Sequence, residues 1–169
     1  MDNTLQILKY AMEMERQGKM FYLKYKDEIQ NEKAKKVFAN LAEVEEEHYN
    51  ILKKHYDGLE SNKNWSSTDL ELSSGEEIFQ KVLEEEKDKM TEENLDSNFS
   101  DMAIMRMAYL IENDFANYYR DAIKKADNEQ AKNLLKTLAE WEDKHREYFY
   151  NEFKGFMEES WFDQNFYPF

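Results

Sequence analysis

Three side chains recur in this chain at one fixed offset: Glu15, Glu45 and His48 in the first half, Glu112, Glu142 and His145 in the second. The differences 112−15, 142−45 and 145−48 all equal 97. Each of the six sits on a row of apolar residues spaced by three and four, the seam that a packed helix buries. Glu15 lies between Leu8, Ala11 and Tyr22, and Glu45 and His48 between Phe38, Leu41 and Leu52. Glu112 lies between Met105, Ala108 and Tyr119, and Glu142 and His145 between Leu135, Leu138 and Phe149. Burying an unpaired carboxylate is expensive. Four seams that meet must therefore neutralise their acids together, and this restricts the fold more than any other feature of the chain.

The composition agrees with helices throughout. Only four Gly and one Pro, Pro168, interrupt 169 residues, and Glu, Lys, Leu, Ala and Met, all good helix formers, dominate. The length suits one domain with a real core. Residues 4 to 30 read as one helix with Asp2, Asn3 or Thr4 as its cap, and 32 to 57 as a second. A turn near residue 30 places Glu15 and Glu45 level, each about 22 Å along its helix at about 1.5 Å per residue. A turn at Asp127 and Asn128 does the same for Glu112 and Glu142. Between these hairpins, residues 58 to 97 hold Gly58, a polar stretch from Ser61 to Ser67 and a short helix from about Glu76 to Lys89, with Ser74 as its cap. A connection this long lets the chain travel the length of the bundle before the next long helix begins. The expected fold is all-α: a ferritin-like four-helix bundle over residues 1–154, two antiparallel hairpins joined by a long crossover. An aromatic tail over 155–169 is expected to pack on the bundle or on a dimer partner.

A Glu and a His three apart project from one helical face. Glu45 with His48, and Glu142 with His145, can each offer one imidazole to one metal ion and a carboxylate that bridges two. The lone Glu15 and Glu112 complete the set, the ligand inventory of a carboxylate-bridged metal pair. With acids at 37 of 169 positions, an acid three residues before a given histidine arises by chance about once in five. Two such pairs at one offset, on apolar seams, are a different matter. Glu13, Glu43, Glu46, Glu47 and Glu140 read as surface residues or as supports of the ligands. Tyr22 and Tyr119 are also 97 apart, each seven residues after its lone glutamate; they either fill the core or act beside the metals through a hydrogen bond or a one-electron step. His55 has Glu152 at its 97-residue counterpart and reads as a buried histidine near the bundle end. The methionines, Met102, Met105 and Met107 among them, read as core filling.

A formal charge of −14 argues against nucleic acid and anionic membranes as partners. No apolar run approaches the ~18 residues of a spanning helix. The opening MDNTLQ is not an export signal, so a cytoplasmic protein is expected. Without cysteine there is no disulfide, thiol nucleophile or thiolate metal site. Carboxylate and imidazole ligands suit iron, manganese or zinc, and any electrons must come from outside the chain.

The segments AMEMERQGKMFY at 11–22, LAEVEEEH at 41–48, AYLIENDFANYY at 108–119 and LAEWEDKH at 138–145 resemble the rubrerythrin branch of the ferritin-like superfamily, over about two thirds of the chain. The resemblance implies two iron ions, reduction of hydrogen peroxide or dioxygen, an external electron-donor protein and a homodimer. It also implies, as the alternative, a non-catalytic iron-handling role. Two departures stand out. Rubrerythrins usually carry a further glutamate three residues after the lone ligand of the third long helix, where this chain has Phe115 and, at the matching place in the first half, Gly18. The four-cysteine rubredoxin module is also absent from this sequence.

Overall fold

The computed structural model describes residues 2–62, 65, 74–87 and 99–163, with the side chains of the last helix described as far as Lys154. Among the described residues five helices follow one another: α1 (Asp2–Tyr25), α2 (Glu32–Asn62), α3 (Ser74–Lys87), α4 (Phe99–Ile123) and α5 (Glu129–Asp163). Helices α1 and α2 form one hairpin and α4 and α5 another, with α1 and α4 touching more lightly and α3 lying on α2. None of the described helices is long and apolar enough to cross a membrane.

Both hairpin turns are set by the same residue type. Asn31 accepts the Ala34 N–H at 2.9 Å and Asn128 accepts the Ala131 N–H at 2.7 Å, so each asparagine caps the helix it precedes. The two are 97 residues apart, like the site residues. The expected caps of α1 do something else. Thr4 is buried and reaches the other hairpin, accepting the Asp127 N–H at 3.3 Å, while Asn3 donates to the Lys125 carbonyl. Asp101, the counterpart of Thr4, accepts N–H groups from Gln30 at 2.9 Å and Asn31 at 2.8 Å. The start of α4 therefore sits against the α1–α2 turn, and the start of α1 against the α4–α5 turn.

These contacts fix the topology. Helix α1 runs from one end of the bundle to the other, α2 returns, and the crossover carries the chain back so that α4 starts beside the α1–α2 turn. Lys33, early in α2, pairs at 3.0 Å with Glu152, late in α5, so those two helices are antiparallel. This is the ferritin-like arrangement, one long connection between two hairpins.

The core divides into two apolar layers. Tyr22, Phe38, Leu41, Phe79 and Phe149 fill the layer towards the α1–α2 turn, and Leu8, Leu52, Tyr119, Leu134 and Leu135 fill the layer towards the other turn. Burial of such side chains contributes about 1.5–3 kcal/mol each, enough to hold a polar stratum between them. Met105 belongs to this core, whereas Met107 is exposed, contrary to its reading as core filling. Helix α2 runs to Asn62, past the expected end at residue 57. Helix α5 continues into the segment read as the tail, whose packing lies outside the described residues, as does most of the polar stretch from Ser61 to Ser67.

Candidate metal centre

All six residues of the repeated trio are fully buried, between the two apolar layers. The structure brings them into two overlapping groups: Glu15, Glu45, His48 and Glu142 in one, Glu45, Glu112, Glu142 and His145 in the other. In each group the candidate ligand atoms all lie within 4.8 Å of one another, close enough to surround one cation. Glu45 and Glu142 belong to both.

The donor atoms are oriented inward. His48 Nδ1 is 3.1 Å from Glu142, 3.5 Å from Glu45 and 3.6 Å from Glu15. His145 Nδ1 is 3.3 Å from Glu142 and 3.5 Å from Glu112. Both oxygens of Glu45 and of Glu142, Oε2 of Glu15 and of Glu112, and both Nδ1 atoms are buried without a well-directed hydrogen bond. Natural cores leave few polar atoms in that state. Eight converging atoms of this kind are what a metal pair would satisfy, and oxygen and imidazole donors fit iron, manganese or zinc.

The tyrosines do more than fill space. Tyr22 on α1 donates its hydroxyl to Oε1 of Glu112 on α4, and Tyr119 on α4 donates to Oε1 of Glu15 on α1. Each lone glutamate thus has one oxygen held by a phenol from the opposite hairpin and the other turned to the cluster. Burial, and then the glutamate each one faces, raise both phenols well above their ordinary value, so they keep their protons.

The electrostatics follow from crowding. Burial, then the charges of Glu142 and Glu15, push Glu45 well above the usual carboxylate range. Burial also lifts Glu112, to about 8. Glu142 is equally buried, but the close approach of His145 and His48 holds it below the ordinary value. Burial opposes a charged imidazole at His48 and His145, yet the carboxylates around them prevail and raise both. Without cations, the cluster balances itself with protons; cations would displace them.

A fifth carboxylate lies here, at the start of the short helix and not singled out by the sequence pattern. Glu76, on α3, is fully buried, with Oε1 2.7 Å from Nε2 of His145 and 3.5 Å from Nε2 of His48. Burial alone would raise it, but the His145 charge draws it down to about 2. Its signal was present in the sequence: Glu76 shares a face with Phe79 and Val82, an acid on an apolar row like the other four. Phe79 meets His145 edge-on at 4.8 Å, and Trp141 stacks on His48 at 5.1 Å. On the opposite side, Phe115 packs against Gly18 beside Glu45 and fills the place where a further glutamate was looked for.

A sequence model of the rubrerythrin family matches residues 6–154. The chain belongs to the rubrerythrin family. Neither the curated proteins nor the solved structures include a match to it. Inside its helical bundle, buried carboxylates and imidazoles are grouped so that they could hold metal. His55 is apart from this rubrerythrin-type centre. It is buried on α2, and its ring stacks on Trp65 at 4.5 Å.

Proposed function

We propose that this chain binds two iron ions, one between Glu15, Glu45, Glu142 and His48 and the other between Glu45, Glu112, Glu142 and His145. It would use them to reduce hydrogen peroxide or dioxygen with electrons from a separate donor protein. The observation that carries the reading is the sharing of Glu45 and Glu142 by two fully buried groups of ligand-type atoms. A bound ferrous pair supplies two electrons to an oxidant and polarises its oxygen atoms.

The chain's own residues have separable tasks in this reading. Glu45 and Glu142 hold the two positions together, and Glu15 and Glu112 close the outer sides. Tyr22 and Tyr119 fix those outer carboxylates through Oε1 and retain a proton on each Oη beside the cluster. Phe79, Trp141 and Phe115 keep bulk water away from the faces they cover, which strengthens every charge interaction inside. Anaerobically iron-loaded protein mixed with peroxide in a stopped-flow instrument should oxidise much faster than free ferrous ion. Equal rates would defeat the proposal.

A second reading, iron handling without turnover, is favoured by Phe115 standing in place of the additional carboxylate. Repeated peroxide additions with a reductant separate the two. Many turnovers per iron pair support the enzyme, and a single oxidation followed by iron release supports handling. Sedimentation at working concentration tests the proposed homodimer.

A further inference from the structure

Each histidine of the centre has two ring nitrogens, and the structure sends them in opposite directions. The Nδ1 atoms of His48 and His145 face the carboxylates of the cluster, at 3.1–3.6 Å and 3.3–3.5 Å respectively. Both Nε2 atoms face outward to one atom, Oε1 of Glu76, which is hydrogen-bonded to His145 at 2.7 Å and lies 3.5 Å from His48 without a directed hydrogen bond. The rings lie nearly parallel, 11° apart with centroids separated by 5.9 Å, so a single oxygen reaches the outer edge of each. We propose that Glu76 is a shared positioning residue: it holds both imidazoles as the Nε2–H tautomer with Nδ1 turned to the metal, tightly at His145 and more loosely at His48.

The crossover helix is built to deliver that oxygen. The Gly75 N–H donates to Oε2 of Glu47 on α2 at 2.9 Å, which pins the first turn of α3 to the helix that carries His48. A β-carbon at Gly75 would come within 3.1 Å of both Glu47 and Val44, so glycine lets α3 approach this closely. Phe79, one turn further, packs against His145 and fixes the depth of insertion. A carboxylate on the outer nitrogen of a ligating histidine sets its tautomer and orientation, and removing one lowers metal affinity by about 10- to 100-fold. Here the loss would fall on two positions at once.

The inference rests on the two-metal reading and is tested with zinc, which is diamagnetic and has no redox chemistry. Zinc titration of the metal-free protein should show two ions in the wild type. Glu76→Ala should weaken binding by about 10- to 100-fold beside His145 and by less beside His48. Glu76→Gln, which keeps the volume and one acceptor oxygen, should fall between, and it serves if the alanine variant does not fold. Glu77→Ala, an exposed neighbour on the same turn, should change nothing. In the zinc-loaded wild type, proton–nitrogen correlation spectra should show slowly exchanging Nε2 protons on both histidines, lost in Glu76→Ala. Two zinc ions bound equally well by wild type and both Glu76 variants would overturn this inference alone, as would zinc on Nε2. A wild type that takes up no zinc pair would overturn it together with the proposed centre.

Discussion

The ring of Phe115 on α4 lies against Gly18 on α1 so closely that a β-carbon at position 18 would sit 2.9 Å from its Cε2. These two positions are 97 residues apart, so the near-symmetry of the halves is broken here by one large and one absent side chain. Gly18→Ala gains about 1 kcal/mol of helix propensity and incurs about 1–3 kcal/mol of overpacking, because the buried ring has little room to give. A net loss of up to about 2 kcal/mol is expected in chemical denaturation. In a Phe115→Leu background the added methyl should cost nothing or stabilise, and additive losses would contradict the contact.

Glu45 and Glu142 occupy equivalent positions with opposite electrostatics. Glu45 is crowded by other carboxylates and raised, whereas Glu142 is held ionised by both histidines. Glu45→Leu should therefore leave the metal-free protein as stable as before or more so, by about 1 kcal/mol, since it removes a buried polar group. Glu142→Leu should cost about 3–5 kcal/mol, because it removes the ionised carboxylate that both imidazoles face. Both should abolish uptake of a metal pair. Melting curves with and without added ferrous ion check this, and equal metal-free stabilities would contradict the assignment.

Tyr22→Phe and Tyr119→Phe remove equivalent hydrogen bonds, each to the lone glutamate of the opposite hairpin. Each should cost about 0.5–3 kcal/mol, the span from a neutral hydrogen bond to one on a charged group, with packing retained. A tyrosine that only filled the core would show almost no loss.

Why the six clustered residues could be read from sequence, and Glu76 could not, follows from repetition. Each of the six has a partner 97 residues away, and each pair flanks its turn symmetrically, so helix geometry alone brings them level. Asn31 and Asn128 obey the same offset and set those turns. Glu76 has no counterpart, is followed directly by another acid, Glu77, and belongs to a connection whose docking onto α2 depends on Gly75 and Glu47. Its place on the apolar row of Phe79 and Val82 is a weaker signal than repetition, because acids occupy 37 of 169 positions. Thr4, expected as a possible cap of α1, is likewise drawn into a tertiary contact with the opposite turn.

Those turn contacts differ in strength although their positions are equivalent. Asp101 accepts three short contacts, two from Gln30 N–H at 2.9 and 3.0 Å and one from Asn31 N–H at 2.8 Å. Thr4 takes part in two longer ones with Asp127, both 3.3 Å. Asp101→Ala should cost about 2–3 kcal/mol and Thr4→Ala about 1 kcal/mol or less. Hydrogen exchange at Gln30 and Asn31 should quicken in the first variant only.

His55 gives the fold an acid sensitivity separate from the metal centre. Burial, with the Lys54 charge adding to it, lowers its imidazole from the ordinary 6.5 to about 4. The unfolded chain therefore binds a proton below pH 6.5 that the folded chain refuses until about pH 4. The stability contributed by neutral His55 is complete above 6.5, declines as pH falls through that window, and is gone below about 4. His55→Phe keeps a ring to stack on Trp65 and cannot be protonated. Between pH 7 and 4.5 the variant should lose less stability than the wild type, by on the order of 1 kcal/mol, with the two curves parallel above pH 7. Curves that stay parallel down to pH 4 would mean that His55 takes up its proton as readily in the folded protein as in the unfolded chain.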